Sequence, residues 1–596
     1  MKKKWVALLA ICVMAVGVIG CSANSGNSDE TSDFTERIDS YWKEHDIDAA
    51  MKARNNTEAD IAPKRAEIRK MYGENKEITG EFDEALAAKT VSGTYVGKVD
   101  ANNVISWKGI PYAKQPVGDL RWRAPEEPEK SDKVYEAYYF GKSSVQIEGG
   151  DEPSSLYPQG EECLNINLWN NLTDEDRNKP IMVWIHGGAY IQGGACTDEY
   201  DGTNFVINNP DVIFASIDYR TDFLGFINLS EVPGAEDYYD SANLGLLDEI
   251  QALSWLKENA KSFGGDPERI TIFGESAGGG SVSSLTLAPQ AAGLFKRCIM
   301  QSGVSSGFLR TEEKSIEHTD RIMKISGAQN IDDLKSLTVS DIRKIETIIG
   351  AESGTDYTYP QRDGIVVPLD IKEALESTQR NGIDIMIGTT KDEYNYWTML
   401  LGREGNLKSM QASRDRVLSK MSDEQKTRFE KFMAMQSGDE YNKLMQFINF
   451  NAFHSPSRFE AKTHAANGQN AYVYYFTEES KDLLSCHGYD LGFVLGNIEK
   501  ERVKNLDTAK RLSSIMQQMW VNFAKTGDPS LNDGDVEGVG AIKWDKYKAD
   551  DYKVMIFNAE ETKQENDPLK EQNDLIGDLF WLKLQDEDYL YFYPWF

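Results

Sequence analysis

Phe263 to Gly280 reads FGGDPERITIFGESAGGG, and its punctuation decides the fold. Ile270, Ile272 and Phe273 make a β-branched and aromatic run that predicts a buried strand. The run stops at Gly274-Glu275-Ser276-Ala277-Gly278. The small residues that follow, with Ser281, Ser283, Ser284 and Leu285, can continue as a helix. Strand, tight turn, helix is the setting that a G-x-S-x-G signature requires. Such a turn forces its serine into a strained backbone conformation, and glycines are expected on either side because a Cβ there would collide with the adjoining strand and helix. Ser276 is therefore the candidate nucleophile, its hydroxyl projecting at a helix N-terminus where the dipole favours developing negative charge.

Outward from this point the texture alternates. Ile181–Ile185, Val212–Asp218 and Ile270–Phe273 are nearly continuous apolar runs, as strands buried on both faces of a mostly parallel sheet read. Between the last two, residues 243–263 carry Leu246, Leu247, Ile250, Leu253, Trp255 and Leu256 at helical spacing. Residues from Val91 to Ile110 alternate like an antiparallel start. The fold class is α/β, a large sheet flanked by helices.

The 596 residues include 96 Asp and Glu against 65 Lys and Arg, a formal charge of −31. Such a surface repels phosphate backbones, so nucleic acid is not expected as a partner. Lys2, Lys3 and Lys4 precede an apolar run from Trp5 to Ile19, the length of a signal-peptide core. Residues 1–20 are expected to be removed on export. Val18-Ile19-Gly20-Cys21 resembles a bacterial lipobox, which makes Cys21 the candidate lipidated residue and a membrane anchor; the alternative is an ordinary cleavable signal. Residues 21–90 read as a polar tether and a helical extension, with Trp42, Ile47, Met51, Ile61 and Ile68 at roughly helical intervals. The pattern leaves open whether that extension docks or stands off as a stalk. Cys163, Cys196, Cys298 and Cys486 show no C-x-x-C spacing, so buried thiols are expected and no metal site is indicated. The main domain is expected over residues 91–574, followed by an aromatic tail at 575–596.

GGDPERITIFGESAGG, GEECLNINLW, KGIPYAKQPVGDLRW and WIHGGAYIQGG together resemble the type B carboxylesterase family of α/β hydrolases, in order and with compatible spacing from about Val91 to about Tyr547. The resemblance implies a mostly parallel central sheet, a gorge-like active site, hydrolysis of carboxylic esters through an acyl-enzyme, and no metal or organic cofactor. Small-molecule esters are the expected substrates. A catalytically silent binding module on the same fold is the rival.

A serine nucleophile needs a base and an acid that orients the base; in this fold they follow in the order serine, acid, histidine. Downstream of Ser276 stand His318, His454, His464 and His487. His318 lies in a charged helical stretch and reads as solvated, His454 and His464 as structural. His487, in Ser485-Cys486-His487-Gly488-Tyr489-Asp490, resembles the family's histidine loop and is the expected general base. The resemblance assigns the acid to Glu393 in Lys391-Asp392-Glu393, with Asp392 the rival because Tyr394 stands where the family usually has glycine. It assigns the oxyanion hole to the amides of Gly188, Ala189 and Ala277, and places Glu275 and Ser302 on the histidine side of the gorge. His186 reads as a residue that shapes its turn. Tyr394, Tyr396, Trp397, Met399 and Leu400 are candidate pocket walls. The loop from Val145 to Glu162 contains no tryptophan to face a quaternary ammonium, so cholinesterase activity is not expected.

Overall fold

The computed structural model describes residues 31–47, 63, 65–69, 72–146, 156–172, 178–307, 309–353, 358–377, 380, 382–548 and 550–582. The signal segment, Cys21, Met51, Ile61 and residues 583–596 of the aromatic tail lie outside them.

In chain order the strands are β1 (Ala87–Thr90), β2 (Gly93–Val96), β3 (Lys98–Val99), β4 (Val104–Pro111), β5 (Val134–Glu136), β6 (Asn165–Asn171), β7 (Lys179–Ile185), β8 (Ile213–Ile217), β9 (Gly265–Glu275), β10 (Arg297–Gln301), β11 (Asp384–Thr390), β12 (Ala471–Phe476), β13 (Lys553–Phe557) and β14 (Lys563–Asn566). Eleven of them form one sheet, ordered β14-β13-β12-β11-β10-β9-β7-β8-β6-β4-β3, while β1, β2 and β5 form a small separate sheet. From β13 through β8 the neighbours run parallel; the two flanks, β14 on one side and β6, β4 and β3 on the other, are antiparallel. The predicted parallel core is there, inside a mixed sheet.

The burial of β7 shows why its sequence is apolar throughout. Ile181, Val183 and Ile185 pack into one hydrophobic cluster, while Met182 and Trp184 pack into a second on the opposite face. A strand alternates its side chains, so only a sheet covered on both sides demands apolar residues at every position. On the first face lie α2 (Leu244–Asn259) and α3 (Ala277–Leu287), which contribute Leu253, Leu256, Val282 and Leu285. The second face receives Met516 and Trp520 from a helix at Leu506–Thr526.

The register aligns the carboxyl ends of the central strands. Ile185 sits opposite Gly274, Glu275 opposite Gln301, and Gln301 opposite Gly388. The turns that leave β7, β9, β10 and β11 therefore open on one edge of the sheet, where open α/β sheets place their sites.

The N-terminal extension docks. Helix α1 (Thr35–Glu44) buries Ile38 and Trp42 against Ile322 and Ile325 of α4 (Glu312–Ser326) and Ile342 and Ile345 of α5 (Val339–Ser353). Thr35 Oγ1 donates to Asp341 Oδ1 at 2.8 Å, and further along Tyr72 Oη donates to the Cys196 carbonyl at 2.7 Å. Burying a side chain of this size contributes about 2–3 kcal/mol, enough to hold a short helix that would not form alone.

One histidine departs from its sequence reading. His318 is 3% exposed rather than solvated. Ser315, His318, Thr319, Ile322 and Ile325 share the inward face of α4 at three- and four-residue spacing, and the acidic and basic residues that dominate the local sequence occupy the other face. At the far end of the chain Leu579 and Phe580 are buried, so the start of the aromatic tail packs on the body.

Candidate active site

Ser276 holds φ 57° and ψ −123°, a conformation costly for any residue with a Cβ, at the junction of β9 and α3. The structure shows how the strain is enforced. A Cβ on Gly274 would lie 2.6 Å from both Gly278 and the Ile185 carbonyl, and one on Gly278 would lie 2.1 Å from that same carbonyl. The elbow is thus wedged between β7 and its own helix, as the glycine spacing predicted. The Ser276 amide donates to Gln301 O at 2.9 Å and its carbonyl accepts from Gly280 at 2.9 Å, which fixes the turn from both sides.

The turn after β7 carries three successive positive φ angles: Gly188 at 108°, Ala189 at 55° and Tyr190 at 64°. Among the described residues the amides of Gly188, Ala189 and Ala277 donate to no protein acceptor. The turn is pinned from outside by Gln146, whose side chain accepts from Gly193 N at 3.0 Å and donates to Gly193 O at 2.8 Å. His186 is buried, stacks on Tyr219 with ring centroids 4.3 Å apart, and pairs Nδ1 with Gly187 O at 2.8 Å. Burial holds its pKa at about 4, so it is a neutral shaping residue.

Glu393 and His487 come together. Glu393 Oε2 lies 2.6 Å from His487 Nδ1, while Oε1 accepts from Ser302 Oγ at 2.7 Å and from the Thr390 amide at 2.8 Å. The His487 amide also donates to the Glu393 carbonyl at 3.1 Å, so the two loops are stitched by backbone as well as by side chain. Asp392 faces elsewhere: its amide donates to Ser485 O at 2.8 Å and its carboxylate is 4.0 Å from Lys391 Nζ. Geometry thus separates the two acids that the sequence left open.

The imidazole is 8% exposed and flanked by Trp397 and Phe453, each with its ring centroid 4.9 Å away. Its Nε2 lies 3.1 Å from Glu275 Oε1. No hydrogen bond joins Ser276 to Nε2 in this resting site; contacts of this kind often tighten only when substrate is bound. The contact that links the elbow to the imidazole runs through Glu275, the residue before Ser276.

Of the predicted pocket walls, Tyr396 and Trp397 stand beside His487. Tyr394 is turned inward instead. It is 0% exposed, and its amide is tied to Asn449 Oδ1 at 2.8 Å, because the turn that delivers Glu393 rotates the next side chain into the core. The side chains of Met399 and Leu400 lie outside the described residues. His454 and His464 are structural, bonded to Thr389 Oγ1 and the Ile383 carbonyl, each at 2.8 Å. Cys486, next to His487, is a buried thiol that accepts from Arg502 and has its pKa pushed up to about 12. Phe453, Gln146 and Thr390 carry no sequence signal of their own; each contributes through packing or through one or two bonds that only the fold creates.

A parallel-cored sheet with a strained serine on its central elbow and an acid–histidine pair on the neighbouring strand ends defines an α/β hydrolase. The sequence profile of the carboxylesterase family matches residues 85–576, and the chain belongs to that family. It is 32% identical over 505 residues to para-nitrobenzyl esterase of Bacillus subtilis, covering 80% of this chain and 96% of that protein. It is 29% identical over 498 residues to phenmedipham hydrolase of Pseudarthrobacter oxydans, covering 79% and 95%. Among solved structures, a carboxylesterase of Geobacillus stearothermophilus superposes with a TM-score of 0.72 at 33% identity, covering 82% of this chain and 99% of that one. The protein is a carboxylic ester hydrolase.

Proposed function

We propose that the hydrolysis runs through an acyl-enzyme on Ser276, with His487 as general base and Glu393 as the acid that orients it. The observation that carries this reading is the 2.6 Å contact of Glu393 Oε2 with His487 Nδ1. That contact holds the proton on Nδ1 and leaves the Nε2 lone pair to take the Ser276 proton. The alkoxide attacks the ester carbonyl, and the resulting oxyanion is held by the amides of Gly188, Ala189 and Ala277, each donor worth about 10²–10³ in rate. The imidazolium then returns its proton to the leaving alcohol. Water, deprotonated at Nε2, attacks the acyl-serine, and the second tetrahedral intermediate collapses to release the acid and restore the hydroxyl.

Glu393 neither gains nor loses a proton in this cycle; it stabilises the imidazolium. Ser302 and the Thr390 amide occupy its other oxygen and keep Oε2 aimed at the ring. The test is hydrolysis of para-nitrophenyl acetate by Ser276→Ala and His487→Ala. Both should lose turnover by orders of magnitude with folding intact, and unchanged turnover in either would remove that residue from the mechanism.

The charged and apolar N-terminal segment supports export, with the protein tethered through a lipid on Cys21. Mass spectrometry of the mature protein should find Cys21 as its lipid-modified first residue; an unmodified amino terminus beyond Cys21 would dismiss the anchor.

A further inference from the structure

A cavity of about 450 Å³ lies between a helix at Ser455–Ala466 and a second at Lys570–Ile576, and its lining includes none of the residues of the ester site. Its polar groups are unbalanced in kind. The lining residues leave four buried nitrogens without a hydrogen-bond partner: Arg458 Nη1 and Nη2, Arg428 Nε and Asn573 Nδ2. No lining oxygen is left in that state among the described residues. Arg458 is only 5% exposed, and a guanidinium so placed is costly unless its donors are used.

The charges point the same way. Arg458 is paired with Asp567, Arg428 with Asp578 and Lys570 with Asp574. Once those pairs are set aside, Lys372 and Lys462 face the cavity against Glu376 alone, a local positive excess on a chain of formal charge −31. Phe459 and Trp581, in edge contact at 4.8 Å, supply an aromatic wall. The volume falls in the range of small-molecule pockets, which run from about 300 to 1,000 Å³.

We infer that this cavity is a second binding site, which takes the carboxylate or phosphate group of a small molecule on the free donors of Arg458 and Asn573. An acceptor-rich, negatively charged group suits a lining whose unpartnered polar atoms are all donors, and the guanidinium fork suits a planar or tetrahedral oxyanion. The same chemistry has one intramolecular source: Asp586, Glu587 and Asp588 follow a few residues after Trp581.

The test uses the full chain and reads the unfolding temperature against increasing inorganic phosphate or benzoate, with chloride at matched ionic strength as the control. The wild type should show a saturable rise with at least one of the two anions. Lys372→Ala/Lys462→Ala, which leaves every buried pair intact, should weaken the apparent affinity by about fivefold. Arg458→Met/Asp567→Asn, which removes both members of the buried pair, should abolish the effect. A rise seen only after Asp586→Asn/Glu587→Gln/Asp588→Asn supports the site and names the chain's own acidic run as its occupant. No anion-specific rise in either background, or a rise undiminished in both site variants, overturns the inference.

Discussion

Glu393 and His487 meet through two contacts at once, a 2.6 Å side-chain pair and a 3.1 Å bond from the His487 amide to the Glu393 carbonyl. The backbone bond fixes the distance between the two loops, and the side-chain pair then sets the tautomer. Asp392, one residue earlier, is held by Ser485 and points away from the imidazole.

Substitution at these adjacent acids should therefore separate them. Glu393→Gln should reduce kcat for para-nitrophenyl acetate by about 10²–10⁴, since the wrong tautomer is no longer penalised. Asp392→Asn should stay within a fewfold of wild type. Equal losses in the two variants would contradict the assignment.

The elbow should tolerate no added carbon. A Cβ on Gly303 would fall 1.8 Å from the Ser276 carbonyl, and one on Gly278 2.1 Å from Ile185 O. Both contacts are with backbone, which cannot swing aside as a side chain can. Gly278→Ala and Gly303→Ala should each destabilise by about 1–3 kcal/mol or more and lower activity further by displacing Ser276. Urea unfolding checks the first effect; a midpoint like wild type's would show a looser turn.

Asp218 gives a pH dependence with a definite sign. Its carboxyl is 1% exposed and burial pushes its pKa from 3.8 up to about 8, with the Ala195 amide offsetting part of the shift. Between those two values the unfolded chain has released a proton that the folded chain keeps, so this group's contribution to stability is full below pH 4 and is lost as pH rises through 8. Asp218→Asn removes the titration. The stability difference between variant and wild type should therefore move in the variant's favour from pH 5 to pH 8 and level off above it. A pH-independent difference, measured by urea midpoints, would contradict the buried neutral carboxyl.

Docking of α1 can be tested apart from catalysis. Trp42→Ala should leave ester hydrolysis unchanged while exposing residues 35–44 to limited proteolysis, because the helix loses its largest buried side chain. Protection equal to wild type would mean that Ile38 and the Thr35–Asp341 bond suffice.

The sequence was most legible where steric demand is strictest. Gly274, Gly278 and Ser276 announce the elbow because few other residues fit between β7 and α3, and β7 is apolar throughout because both its faces are covered. His487 was legible through its loop, and Glu393 through the resemblance of Lys391-Asp392-Glu393 to the family, with Asp392 left as a rival because the residues alone do not say which carboxylate the turn aims at the ring. What did not show was set by partners distant in sequence. The burial of His318 depends on the inward face of α4, the placement of Tyr394 on Asn449, and the docking of α1 on helices some three hundred residues further along the chain. Thr390 and Gln146 act through one or two hydrogen bonds each, and nothing in their own neighbourhood distinguishes them from other polar residues.

The central claim is that Ser276 is the nucleophile that His487 activates. Labelling with a fluorophosphonate, followed by mass spectrometry of the digested protein, tests it most directly. The account predicts a single adduct on Ser276, absent from Ser276→Ala and strongly slowed in His487→Ala; an adduct on another residue, or undiminished labelling in either variant, would contradict it.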